Sequence, residues 1–392
     1  MKDIESYHYK EYSEHPDIVV EVPQVTTLLG AFSDFVNGFA LMSTNDYGLR
    51  ISLSRRQDNS VRVLNVTKQD KKKFQISSLK FRKEDRWANA VKAILNELIS
   101  NLGANLIGLN ITIKGHSAGC DHSSFSAAVF SGLLFGINRL FELNLTMEEM
   151  VRVAFNANRF TPIYNARLRD LITIFSAKAG KVILYDLESY EYKLVEYPFI
   201  GFEGCSTYLV SSSIPYSVLT PEEDEFRSEC EDIFQRIRPK IAKGMKIRDL
   251  SEKDIRHSLA DLGESQRRFA QFVIQDSDIA RKAWDAICTS DIESFARLLN
   301  MQQKGITSKA ELSSPEIDWI ARRGMEAEGV RAMAQVYIGL SGTLLALIDE
   351  EGKLPYTNRL EEYERIFGFH ADVRDYIPSG GIRIVEDEGS FS

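Results

Sequence analysis

The segment with the clearest chemical potential runs from Gly115 to Ser126, GHSAGCDHSSFS, and consists largely of small and hydroxyl-bearing residues. An apolar run at 106–113 reads as a strand leading into it, and an apolar run from about 127 to 141 reads as a helix leading out. Such a turn can hold phosphate, because free main-chain N–H groups and the positive end of the helix point at the anion. The same pattern also describes an ordinary turn. It fits neither GxxxxGK[ST] nor GxGxxG, which argues against a Walker-type NTPase and a dinucleotide-binding dehydrogenase. Cys120, Cys205, Cys230 and Cys288 are widely spaced, and the six histidines are scattered, so no metal or disulfide framework is suggested. The cysteines read as reduced and mostly buried.

The elements that would position this loop can be read from periodicity. Residues 17–65 alternate apolar and polar positions between turns, which predicts strands near 17–22, 39–42, 49–54 and 61–66. Residues 87–102 carry apolar side chains at helical spacing and end at Gly103. Thr146 and Glu149 form a capping box that opens a helix through about 158. Strands follow near 182–186, 192–197 and 207–211. From 221 to about 300 the chain is helical and charged, with long runs at 224–241 and 264–274. A helix at 315–328, a strand at 342–348, a helix at 361–367 and a strand at 381–385 complete an α+β pattern.

A chain of 392 residues exceeds what one core usually serves, so two domains are expected, 1–204 and 205–392. Apolar residues at 44% and charged residues at 27% are those of a folded chain. A net charge of −8 offers no general attraction to nucleic acid or to an anionic membrane. No apolar run is long enough to span a bilayer, and the first residues lack the pattern of a secretion signal. A cytoplasmic monomer is expected.

Several segments, in fixed order, resemble the motifs of galactokinase and the wider GHMP small-molecule kinases. Residues 22–39, VPQVTTLLGAFSDFVNGF, are similar to APGRVNLIGEHTDYNGGF, and Trp87-Ala-Asn-Ala-Val-Lys-Ala to WANYVKG. The run through Ser124-Phe-Ser-Ala-Ala128 resembles PxGAGLSSSAA. Asp170, sixteen residues before the strand-end Asp186, matches the spacing of the MDQ aspartate. Glu229-Cys230, Ser314–Asp318, Gly339–Ile348 and Ile377–Ile382 resemble the later motifs in order. The resemblance implies an N-terminal domain with a left-handed βαβ unit and a C-terminal ferredoxin-like α+β domain. It also implies a reaction in which ATP, with Mg²⁺, phosphorylates a small-molecule sugar held between the domains.

Carried over residue by residue, the resemblance makes Asp170 the catalytic base and Asp34 a substrate ligand. It places Trp87, Ser123, Ser124 and Ser126 at the nucleotide, with Ser124 also at the metal. Arg167 and Arg169 flank Asp170; guanidinium groups there would favour the ionised carboxylate and supply charge to a phosphate. A salt-bridged surface cluster on a loop would give the same sequence. Other motif residues are replaced. The arginine of the first motif falls on Val25, its glutamate and histidine on Ala31 and Phe32, and the GAG of the phosphate loop on Cys120-Asp121-His122. Losing two polar sugar ligands weakens recognition by several kcal/mol in order of magnitude, which argues against galactose itself. Two readings follow: a sugar kinase of altered specificity, or a ligand-binding or regulatory pseudokinase on the same fold.

Overall fold

The computed structural model describes residues 2–115, 122–159, 161, 166–214, 220–241, 243–250, 262–336 and 342–385. Helix α1 (Lys2–Tyr12) precedes β1 (Ile18–Leu29) and the 17-residue β2 (Phe39–Arg55), which pair antiparallel along most of their length. β3 (Ser60–Asn65), β4 (Asp70–Gln75), α2 (Asn89–Asn96) and β5 (Leu109–Gly115) come next. β5 lies parallel to β3, so α2 sits in a βαβ connection. Helices α3 (His122–Leu140), α4 (Met147–Arg159) and α5 (Leu168–Ser176) lead to the hairpin of β6 (Lys181–Asp186) and β7 (Tyr192–Glu196). β2 is long enough to serve two partners on one edge: residues 39–42 pair with β6 and residues 49–55 with β5.

A second sheet starts with β8 (Cys205–Ser211). After α6 (Thr220–Ile237), α7 (Glu264–Cys288), α8 (Ile292–Gly305) and α9 (Pro315–Met325) come β9 (Val330–Gln335), β10 (Thr343–Asp349), α10 (Lys353–Phe367) and β11 (Asp372–Asp375). Its antiparallel order, β11-β8-β10-β9, is the fourth-first-third-second arrangement of a ferredoxin-like sheet. The chain then returns to the first sheet, where β12 (Arg383–Ile384) pairs with β1. On the way, Gly381 and Ile382 donate their N–H groups to Ala177 O and Ile174 O at the end of α5.

Packing explains why these elements sit where they do. α3 lies against β1 and β2 so closely that a Cβ on Gly132 would stand 2.6 Å from Val22 Cγ2 and 2.7 Å from Ile51 Cδ1. Each sheet has a buried cluster of its own, and a further one is shared between them. Leu28, Leu41 and Val182 of the first share one buried cluster with Phe295 and Leu299 of α8 and Leu345 and Leu347 of β10.

The Thr146–Glu149 capping box forms as expected: Glu149 N donates to Thr146 Oγ1 at 3.2 Å, and Thr146 N to Glu149 Oε2 at 2.9 Å. Other expectations are corrected. α3 begins at His122 rather than near 127, so Ser124 and Ser126 lie in its first turns. The strands expected at 39–42 and 49–54 are one strand. The helix expected over 87–102 is interrupted by a 3₁₀ turn, Lys83–Ala88, in which Arg86 has φ +40°, and by a π-turn, Glu97–Asn101. α10 starts eight residues before 361, at Lys353.

α1, β4, α5, β9 and β11 were not foreseen. α1 is polar in sequence, and it docks through a polar seam rather than an apolar stripe. Buried His8 bonds Ser52 Oγ at 2.9 Å and Ser54 Oγ at 3.0 Å, and Tyr12 Oη donates to Ile111 O at 2.8 Å. No helix among the described residues is long and apolar enough to cross a membrane.

Burial lowers the His8 pKa from 6.5 to about 4, only partly offset by Glu14 and Asp17. The folded state therefore binds fewer protons than the unfolded chain in that window, and the contribution of His8 is complete above 6.5 and lost as pH falls through about 4. Denaturant titrations across this range should show wild type losing more stability on acidification than His8→Gln, with the α1 amides exchanging first.

Candidate active site

The site is organised by Arg169. In the first turn of α5, the side chains of Arg169 and Asp170 both point inward and are 0% and 3% exposed. Nη1 of Arg169 donates to Gly30 O at 3.1 Å and Nη2 to Ala31 O at 2.9 Å. Nη2 also stands 3.3 Å from Asp34 Oδ2, and Nε stands 3.8 Å from Asp170 Oδ1. A guanidinium out of contact with water has to be neutralised and hydrogen-bonded where it lies. Here two carboxylates and two carbonyls do so, and one cation draws Asp34 and Asp170 together.

The loop that offers those carbonyls follows β1. Gly30 has φ +80°, and a Cβ there would lie 2.2 Å from Phe39 O, so the turn accepts only glycine. The turn continues as a short 3₁₀ segment, Ser33–Val36, closed by Asn37 in the left-handed region. From the other side the loop is gripped by α7. Asp276 accepts Gly30 N at 3.1 Å and Phe32 N at 2.8 Å, and Ser277 Oγ accepts Phe39 N at 3.0 Å. Burial pushes the Asp276 carboxyl from its ordinary 3.8 up to about 6, despite these donors and one from Gln302.

The two apolar replacements in this loop are turned into packing. Phe32 is buried against Phe226 and Phe272, at ring separations of 5.0 and 5.6 Å, and Ala31 is buried in the same cluster. Asp34 stays partly open, its side chain 29% exposed, on the wall of a cavity of about 430 Å³. That cavity is lined by Asp34, Phe35, Arg167, Arg227, Glu231, Phe234, Gln235 and Arg238.

Asp34 and Asp170 are thus brought together, Asp34 partly open on a loop and Asp170 buried on a helix, rather than spread over a surface loop. The expected nucleotide residues are engaged elsewhere in the fold. Ser124 is buried, and its hydroxyl both donates to Val25 O and accepts Val25 N at 3.0 Å, so it is committed to the main chain of β1. Ser126 is also buried. Trp87 is buried in the cluster that the first sheet forms with α2, α3 and α4, and its indole N–H donates to Asp70 Oδ2 at 2.9 Å beside β4, three strands beyond β2. The side chain of Ser123, residues Cys120 and Asp121, and Gly339 to Ser341 lie outside the described residues. Asp186 does not join the carboxylate pair; it is bound by Arg248, whose guanidinium also covers the Phe39 ring at 4.5 Å. Among the described residues no cluster of three His, Cys, Asp or Glu side chains could hold a metal.

For a nucleotide, the main chain fits better than these side chains. β5 passes after six residues into α3, a long helix whose first described turn rests on β1 through Ser124, so its positive end could meet a phosphate. Sequence reasoning missed Asp276, Arg227 and Arg238. A Gln-Asp-Ser-Asp run at 275–278 in a helical pattern reads as an exposed face, and only the fold shows that Asp276 and Ser277 point inward.

Comparison with known proteins bears on the fold. No protein-family model matches the chain. In structure it resembles Lactococcus lactis galactokinase complexed with galactose, with a TM-score of 0.87 and 17% identity over 97% of this chain and 99% of that one. It resembles Methanococcus jannaschii mevalonate kinase more loosely, with a TM-score of 0.62 and 13% identity over 94% and 98%. The fold is that of the GHMP small-molecule kinases. In sequence the chain is galactokinase-like: it is 28% identical to a protein of Treponema pallidum (strain Nichols) named "Putative galactokinase", over 98% of this chain and 97% of that protein.

Two outcomes test the arrangement. Arg169→Met leaves two carboxylates facing one another without their cation, and should cost about 3–5 kcal/mol in equilibrium unfolding. Asp276 is protonated more readily in the folded state, so its contribution is complete below 3.8 and lost as pH rises through about 6. The stability difference between wild type and Asp276→Asn should therefore shrink as pH is raised across that window.

Proposed function

We propose that the protein transfers the γ-phosphate of ATP to a hydroxyl of a sugar or related polyol. The observation that carries this reading is the buried Arg169, which gathers Asp34 and Asp170 at the end of β1, beside a cavity of sugar-sized volume. The names of the relatives support it, and the galactose in the Lactococcus lactis complex supports a sugar as acceptor. In the reaction Asp170 takes the proton as the acceptor oxygen bonds to the γ-phosphorus, and ADP departs with the electron pair of the broken bond. General-base assistance of this kind is worth about 10²–10⁴ in rate.

Arg169 serves as a positioning residue. It fixes the Asp170 carboxylate, and its own position is set by Gly30 O and Ala31 O. Asp34, partly open to the cavity, accepts a hydrogen bond from a substrate hydroxyl. The nucleotide phosphates would meet the main chain at the start of α3, and Mg²⁺ would neutralise their charge. The two halves, 1–204 and 205–392, are read as two domains that meet at this site.

The test is release of ADP from MgATP by the purified protein across a panel of sugars and polyols. Asp170→Asn should lower kcat by at least about 100-fold while nucleotide affinity is kept. Nucleotide binding with no polyol-dependent turnover in wild type would replace the transferase with a ligand-binding protein on the same fold.

A further inference from the structure

The loop that carries Asp34 is held at both of its ends. Arg169 and Asp276 bond its beginning, from Gly30 to Phe32. At its far end the chain turns sharply: Asn37 has φ +49° and ψ +46°, and a Cβ on Gly38 would lie 2.2 Å from Ser277 Oγ. Asp34 stands between these ends, three residues before Asn37, with its carboxylate 3.3 Å from Arg169 and 3.9 Å from Arg167. A left-handed residue beside a closely packed glycine leaves little slack. The direction in which Asp34 faces the cavity therefore follows the placement of Asn37 to Phe39.

Arg248 reaches that far end from the second half of the chain. It lies in a 3₁₀ turn, Ile247–Asp249, which docks beside the loop through Ile247 and Leu250, in the cluster that holds Phe35 and Val36. The Arg248 side chain is 9% exposed. Nη1 donates to Asn37 O at 3.0 Å and to Asp186 Oδ1 at 2.5 Å, and Nη2 donates to Asp186 Oδ2 at 3.3 Å. The guanidinium also lies 4.5 Å from the centre of the Phe39 ring. Asp186 ends β6 directly opposite Phe39, and Leu187 N donates to Gly38 O at 2.9 Å. One guanidinium thus joins a carbonyl of the loop, the ring that follows the loop and the end of β6. A lysine could not do all three, because only the planar fork pairs a carboxylate through two nitrogens while resting on a ring.

We propose that Arg248 is a positioning residue for acceptor binding, acting on Asp34 through the far end of the loop, with Asp186 as its anchor. The link to the acceptor rests on the kinase reading above, in which Asp34 accepts a substrate hydroxyl; the clamp on the loop rests on the bonds that Arg248 makes. Asp186 then has a part in the site although it does not join the Asp34–Asp170 pair. It fixes the guanidinium that fixes the loop. Asp170 is held separately, by Arg169 on α5. Loss of Arg248 therefore loosens the acceptor and leaves the base in place.

Substitutions in the full-length protein test this, with rates read as ADP release from MgATP and the fastest acceptor of a panel of hexoses, pentoses and alditols. Arg248→Gln should raise the KM of that acceptor about tenfold while kcat and the KM for MgATP stay within about threefold of wild type. Arg248→Lys, which keeps the charge and loses the fork, should fall between the two. Asp186→Asn should raise the same KM, and the double variant should be little worse than Arg248→Gln alone, since the pair acts as one unit. Amide hydrogen exchange gives a readout that needs no acceptor: in Arg248→Gln the amides of 37–39 should exchange faster, with those of α5 unchanged. An unchanged acceptor KM in folded Arg248→Gln, a loss confined to kcat, or faster exchange spread over the whole protein would overturn the proposal. If wild type releases no ADP with any acceptor, the kinase reading fails. Faster exchange at 37–39 then keeps the clamp, and unchanged exchange there sinks it.

Discussion

A positive charge with no access to water dictates the centre of this molecule. Arg169 can be folded in only if oxygen atoms surround it, and the chain supplies them from two places distant in sequence: the loop after β1, and the helix on which Arg169 itself stands. Meeting that requirement fixes the direction of the Gly30 and Ala31 carbonyls, brings Asp34 inward, and places Asp170 alongside. The geometry a base would need is therefore the same geometry the buried cation needs in order to exist. Structural necessity and chemistry are not separable at this point of the fold.

The same loop is held on its other side by a buried negative charge. Asp276 reaches from α7, in the second half of the chain, to the N–H groups of Gly30 and Phe32, while Arg169 takes the carbonyls of Gly30 and Ala31. The loop is stretched between an anion that binds its donors and a cation that binds its acceptors. Such an arrangement resists slipping, because any shift leaves a buried polar group unpaired. It also ties the two sheets together more specifically than their shared apolar cluster does.

How much of this could be read from the sequence depended on whether the signal was local. The capping box at Thr146 and Glu149 lies within four residues and forms as read. The alternation in β1 and β2, and the pattern of motifs from 22 to 39, depend on near neighbours in the same way. Arg169 was visible as a charge beside Asp170, but a charged pair on a solvated loop has the same spelling as one sealed in a core. Asp276 gave no sign at all, because its partners lie about 245 residues away and are main-chain atoms that carry no sequence identity. α1 was missed for a related reason: its docking face uses His8 and Tyr12 against Ser52, Ser54 and Ile111, a polar match that hydrophobic periodicity does not register. Ser124 was legible as a hydroxyl in the right loop, while its attachment to Val25 depends on where α3 starts.

The return of the chain to its first sheet has a consequence for how the protein is made. α5, with Arg169 and Asp170 in its opening turn, is anchored at its far end by the N–H groups of Gly381 and Ile382, and the adjoining strand then closes the edge of β1. During synthesis that edge stays open, and that helix stays untethered, until Gly381 to Ile384 have left the ribosome. A product interrupted after the second sheet would have most of its helices and strands and still lack the tether of the helix that carries the carboxylate. The order of the chain thus makes this returning segment the one that completes the first sheet.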